Sequence, residues 1–235
     1  MAGIRRNHQY MKKLIPLLLI SVLFLVLIGC SSDEKNAIGI WKTEIDCTSD
    51  AVNNADEWIS AAFMSEEINL YDYMDEYHVD AYLKLNSDGT YIAYVDENSY
   101  NAADAAVKED IKSAFCALLN KRLEAAGKST VTEEDMEQIF ADTLGMSFDE
   151  YYTVYGQPCI LSFENMSAVY DNAGLYSFKD DGICFDDCIY DYLMDEDDLC
   201  ITGTVSGNMF ANLPVYYHKI DSESISSAEA NEVAQ

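Results

Sequence analysis

The sequence is short of cations. Fourteen Lys and Arg stand against 42 Asp and Glu over 235 residues, a formal charge of −28. Phosphate recognition needs a basic face, so nucleic acid is excluded as a direct partner. A basic patch gripping anionic lipid headgroups is excluded on the same ground. Three Pro and 11 Gly are too few for a collagenous or proline-rich architecture. There is no G-x-S-x-G elbow, no P-loop and no dinucleotide fingerprint. There is no C-x-x-C, and His is scarce, so a zinc or iron–sulfur centre lacks a ligand set. Carboxylate pairs arise by chance among so many acids, and pairing alone does not mark a glycosidase. The residues point to no enzyme and no cofactor. What is present is a folded composition: 49 % hydrophobic and 12 % aromatic residues, too many for a disordered acidic chain. The length suits one large domain.

The charge is uneven. Residues 1–29 carry Arg5, Arg6, Lys12 and Lys13 and no acid, and Leu14 to Ile28 is an apolar run of 15 residues. A basic segment before an apolar run of this length reads as a secretory signal, and the run is short of the roughly 20 residues of a membrane span. It ends in Leu27-Ile28-Gly29-Cys30. This LIGC resembles the lipobox of bacterial lipoproteins. The resemblance implies signal-peptidase recognition through Leu27, Ile28 and Gly29, cleavage before Cys30, and a diacylglyceryl lipid (palmitate among its acyl chains) on the Cys30 thiol. The protein would then be held on the extracytoplasmic face of a bacterial cell membrane through the lipid. An ordinary secretory signal with a coincidental Cys is the alternative. Cleavage removes four cations and leaves 10 against 42 acids, a charge of −32 on 206 residues. Residues 30–37, small and polar after the Cys, read as a lipidated tether. Residues 222–235 read as a disordered tail.

Between these ends the period is mostly two. Ile38 to Cys47 alternates as a first strand. Thr48 to Tyr73 has helical spacing and reads as one or two short helices. Tyr77 to Leu85 and Thr90 to Val95 flank Asn86-Ser87-Asp88-Gly89, the strongest hairpin signal in the chain. From Asn101, the residues Val107, Ile111, Ala114, Phe115 and Leu118 follow helical spacing. Thr132 with Asp135 forms a capping box for a second helix, and Ser147 caps a third. The helical insertion is placed at 101–156, and residues 159–173 show no clear period. Leu175 to Phe178 with Ile183 to Phe185, then Cys188 to Met194 with Leu199 to Val205, form two further hairpins. Leu213 to Ile220 is the last strand, with Pro214 near its start.

The expected fold is therefore mainly β with inserted helices (α+β): about eight antiparallel strands in a barrel over 38–221, with helical insertions after strands 1 and 3. Gly39-Ile40-Trp41 resembles the Gly-x-Trp opening of lipocalin-like barrels. The order GIW, LNSDGTY hairpin, helical insertion, LYSFKDDG hairpin and LPVYYHKI strand is similar to lipocalin-like lipoproteins of Firmicutes. That resemblance implies that Trp41, with Gly39, closes one end of the barrel beneath a cation from the last strand. An Arg holds that place in lipocalins. Here Arg122 is the only Arg after the signal and lies in the insertion, which leaves Lys219 or His218. A plain buried aromatic is the alternative for Trp41. The resemblance also implies a membrane-anchored module that binds a small apolar ligand or an envelope protein. A structural envelope protein with a filled barrel is the second reading, and an envelope or polysaccharide hydrolase the third.

Two constellations remain. Cys47, Cys116, Cys159, Cys184, Cys188 and Cys200 are an even set in an exported chain, consistent with disulfides or with buried free thiols. The acidic run around Asp195, Asp197 and Asp198 offers hard oxygens to Ca²⁺ but lacks EF-hand spacing; solubilising turns are the competing reading.

Overall fold

The computed structural model describes residues 32–63, 68–179, 182–206, 210 and 213–221. The strands are β1 (Gly39–Asp46), β2 (His78–Leu85), β3 (Thr90–Val95), β4 (Asn172–Lys179), β5 (Gly182–Phe185), β6 (Cys188–Met194), β7 (Asp198–Ser206) and β8 (Val215–Ile220). They pair in sequence order, all antiparallel, and β8 returns to β1 to close the barrel. The architecture is the α+β barrel that the alternating runs predict. Closure removes the sheet edges that an open meander would expose.

Local chemistry sets the turns. At the β2–β3 hairpin Gly89 adopts φ +84, and Asp88 Oδ1 accepts from Thr90 N at 3.0 Å and from Thr90 Oγ1 at 2.7 Å. These bonds stabilise the carboxylate and hold Asp88 below its ordinary pKa. The two-residue β5–β6 turn uses Asp186 at φ +51, and its carboxylate accepts from Leu175 N and from Tyr91 OH, both at 2.9 Å. That one side chain ties three strands together.

The helices are α1 (Ser32–Ala37), α2 (Thr48–Phe63), α3 (Glu97–Ala125), α4 (Glu133–Leu144), α5 (Phe148–Tyr151), α6 (Gln157–Ile160) and α7 (Phe163–Tyr170). A wide π turn, Tyr152–Gly156, joins α5 to α6. Asp96 caps α3, accepting from Ser99 N at 2.8 Å, and Ser147 caps α5 in a box with Glu150. The insertion after β3 thus spans 97–170, wider at both ends than 101–156. At its C-terminal end α7 has no fully buried residue, so its sequence carries no core stripe to read.

Within the stretch read as a tether, Ser32–Ala37 is helical and hydrogen-bonded to the barrel. Asp33 and Glu34 in its first turn suit the helix dipole. Its remaining support is tertiary and has no local signature.

Two cores result. Inside the barrel, Trp41, Leu83, Leu85, Tyr91, Phe185 and Tyr190 pack together with their inward neighbours. In the helical lobe, Val107, Ile111, Ala114 and Leu118 of α3 meet α2, α4 and α5 around Phe115, Phe140 and Phe148. Val79 and Val95, inward residues at the ends of β2 and β3, belong to the lobe's core. The lobe therefore covers one end of the barrel, and Trp41 fills the other.

Candidate functional site: a closed end and an open mouth

At the Trp41 end the geometry is specific. Trp41 is fully buried, and its Nε1 donates to Ala37 O at 2.7 Å. Lys219, paired with Trp41 across β1 and β8, places Nζ 5.0 Å from the ring centroid. The same Nζ donates to Asn36 O at 2.5 Å. Gly39 sits at φ +146, and a Cβ there would lie 2.7 Å from Lys219 Cε. The glycine thus lets the lysine cross over the indole. His218 points elsewhere: its Nδ1 meets Asp198 Oδ1 on the outer face. On the other flank of α1, Tyr192 OH donates to Asp33 Oδ2 at 2.8 Å. Burial and this carboxylate push the Tyr192 phenol up to about 12.

Between the two cores the inward positions are small. Thr43, Ala81 and Ala93 point to the barrel axis where larger residues stand above and below, and all three line a cavity of about 860 Å³. Leu161, Met166, Val169 and Tyr170 of the α6–α7 segment form its roof, and Val215 and Tyr217 one wall. Tyr217 is buried, which together with Tyr170 raises its phenol. Residues of β1 and β8 beyond the end of their pairing are among its lining. Their pairing stops at Lys42↔His218, whereas β1 stays paired with β2 through Asp46. Small inward residues at this level are visible as alternation in the sequence; the roof is not, because residues 159–173 lack a period.

The six cysteines are free thiols. Cys47 and Cys159 line the cavity. Burial, then Asp50 and Asp46, push the Cys47 thiol up to about 11. Cys116 lies in the lobe beside Asn120, and burial raises it as well. Cys184 donates to Asp186 O at 3.1 Å. Cys188 and Cys200 are half-buried in β6 and β7.

The acidic run forms a turn. Asp195 Oδ1 accepts from Asp197 N and Asp198 N, both at 2.9 Å, and these bonds lower its pKa. Asp198 meets His218. Among the described residues no group of three or more His, Cys, Asp or Glu is arranged to hold a metal ion. Burial raises Asp104 in the lobe, where it accepts from Tyr152 OH at 2.8 Å and Gln157 Nε2 at 2.6 Å. It is not among the cavity's lining residues. Leu27, Ile28, Gly29 and Cys30 lie outside the described residues, as do residues 222–235. Among the described residues no helix is long and apolar enough to cross a membrane.

The chain matches no protein-family model, no curated protein and no solved structure. The functional reading therefore rests on the residues and their geometry.

Proposed function

We propose that the protein is an extracytoplasmic lipoprotein whose barrel binds a small, largely apolar ligand in the mouth beneath α6 and α7. The observation that carries the binding half is the cavity of about 860 Å³ at the level of Thr43, Ala81 and Ala93. Its size falls in the range of small-molecule sites, about 300–1,000 Å³. The packed half of the barrel around Trp41 favours the second reading, a filled envelope module, only for that half.

The anchor half is supported by the basic segment, the apolar run and the LIGC that ends it. Two acyl chains hold a protein stably where one is marginal. A lipid on Cys30 would leave two residues before α1, a reach of about 7 Å. Since α1 is held to the Trp41 end through Ala37, Asn36 and Asp33, that end would face the bilayer and the mouth would face away. Cys30→Ala is expected to move the protein from the membrane to the soluble fraction. Retention of the Ala variant in the membrane would refute the anchor.

For binding, Ala93→Trp places an indole in the cavity. The full chain in zwitterionic nanodiscs is expected to bind the neutral fluorophore N-phenyl-1-naphthylamine saturably at one site, above the linear partitioning into lipid. The Ala93→Trp variant, with far-UV circular dichroism unchanged, is expected to show partitioning alone. Equal saturable binding by both proteins, or by neither, contradicts the proposal.

A further inference from the structure

We infer that the cavity selects apolar molecules that carry one uncharged hydroxyl or carbonyl oxygen, which accepts a hydrogen bond from Tyr217. This deepens the binding proposal and rests on it.

Buried phenols elsewhere in the chain have partners. Tyr77 donates to Asp110 Oδ2 at 2.5 Å, Tyr91 to Asp186 Oδ2 at 2.9 Å, Tyr100 to Leu161 O at 2.6 Å, Tyr152 to Asp104 Oδ1 at 2.8 Å and Tyr176 to Asn86 O at 2.9 Å. A buried hydroxyl left without a bond is costly, and such groups are rare. Tyr217 departs from this pattern. It is 6 % exposed, and among the described residues nothing hydrogen-bonds to its hydroxyl. Its ring belongs to the inward set of the barrel and lines the cavity. Among the described residues the one fully enclosed side-chain polar atom without a partner is Ser167 Oγ, so the Tyr217 hydroxyl borders open space. It lies within electrostatic reach of the Tyr170 phenol in the roof, which sets it on the cavity side of the ring.

A second hydroxyl stands opposite. β1 and β8 pair at Trp41↔Lys219 and Lys42↔His218, and the next step of that register sets Thr43 against Tyr217. Thr43 also lines the cavity, and among the described residues its Oγ1 has no bond. Asn54 and Ser162, elsewhere in the lining, are engaged: Asn54 Nδ2 donates to Ile160 O at 3.1 Å, and Ser162 Oγ accepts from Asn165 N at 3.3 Å.

Among the described residues no charged side chain of the barrel faces inward at this level. Lys42, Glu44 and Asp46 alternate with the inward Thr43 and Ile45 and so lie on the outer face of β1. His218 meets Asp198 outside. Lys219 is inward but sits over Trp41, bonded to Asn36 O, and does not line the cavity. A charged head brought to Tyr217 would lose its water and find no counter-ion there, whereas a neutral oxygen needs only the bond that the phenol offers. Burial, then Tyr170, raises the phenol, so it is a donor at neutral pH. An alcohol accepts from Tyr217 and has a proton for Thr43 Oγ1; a ketone or ester uses the first bond alone.

The test is a series with one decyl chain and different ends: decan-1-ol, n-decane, decanoate and decyltrimethylammonium. Each is titrated against N-phenyl-1-naphthylamine on the full chain in zwitterionic nanodiscs, with free concentrations corrected for partitioning into empty nanodiscs. The alcohol is expected to bind about tenfold more tightly than decane, from one or two neutral hydrogen bonds. Both ions are expected to bind more weakly than the alcohol. Tyr217→Phe, which keeps the ring, is expected to cut the ratio of alcohol to decane affinity about fivefold. Without ligand the same variant is expected to melt no lower than the wild type, because the hydroxyl it removes has no bond within the chain. A lower melting temperature would show that the chain itself satisfies the phenol and would overturn the inference. Tightest binding of either ion, or an alcohol preference untouched in Tyr217→Phe, would overturn it as well. Equal affinity for alcohol and decane, with both lost in Ala93→Trp, would overturn oxygen selection and leave the binding proposal standing. No saturable binding of the fluorophore or of any decyl compound would overturn both.

Discussion

Trp41 holds the closed end of the barrel through contacts on three sides: the barrel core beneath it, the Ala37 carbonyl at its Nε1, and Lys219 over its face. Trp41→Ala removes a fully buried indole and leaves two partners without it. Loss of about 3–5 kcal/mol in chemical denaturation is expected; a loss under 1 kcal/mol would place the indole outside the core. The sequence makes Trp41 and Gly39 legible through G-x-W, and reduces the covering cation to Lys219 or His218. Only the register, which sets Lys219 against Trp41 on the inner face and His218 against Asp198 outside, decides between them. Asp195 supplies a second residue-scale test. Its backbone bonds depress its folded pKa, so its contribution to stability is complete above the unfolded value of about 3.9 and is lost as pH falls through the folded value. Asp195→Asn keeps an acceptor and loses the charge. The wild type is expected to melt above this variant at about pH 6, with the gap closing below about pH 4. A gap independent of pH would contradict the assignment.

At the scale of elements, the hairpins were the most legible part of the chain. The Asp88-Gly89 turn, the alternating runs and Pro214 before β8 are local signals, and the structure uses them. Elements held by partners distant in sequence were not legible. Ser32–Ala37 has the composition of a linker, and it is fixed by Trp41, Lys219 and Tyr192. α7 lines the cavity with half-buried Met166 and Tyr170 and exposed Val169, which make no buried stripe. The β4–β5 junction gives a sharp test at this scale. Gly182 has φ +153, and a Cβ there would lie 2.3 Å from Tyr190 O, a backbone atom that cannot rotate away. Gly182→Ala is expected to cost about 1–3 kcal/mol through strain at the β5–β6 pair. Stability within a few tenths of the wild type would show that this pairing yields easily.

The whole molecule is two cores that do not fill the space between them. The aromatic core closes one end of the barrel, the helical lobe covers the other, and small side chains leave a cavity at the join. That cavity is the observation on which the proposed ligand binding rests. Acidity bears on attachment. Under the proposed cleavage the chain would carry −32 and be repelled by an anionic bilayer within about 8 Å at physiological salt, and the proposed lipid would supply the attachment. The most direct measurement of the central claim is a crystal structure of the protein purified from its own cells without removal of bound molecules. The account predicts density for a small molecule against Ala81, Ala93 and Tyr217 beneath Met166 and Val169. The same volume closed by the chain's own side chains would contradict it.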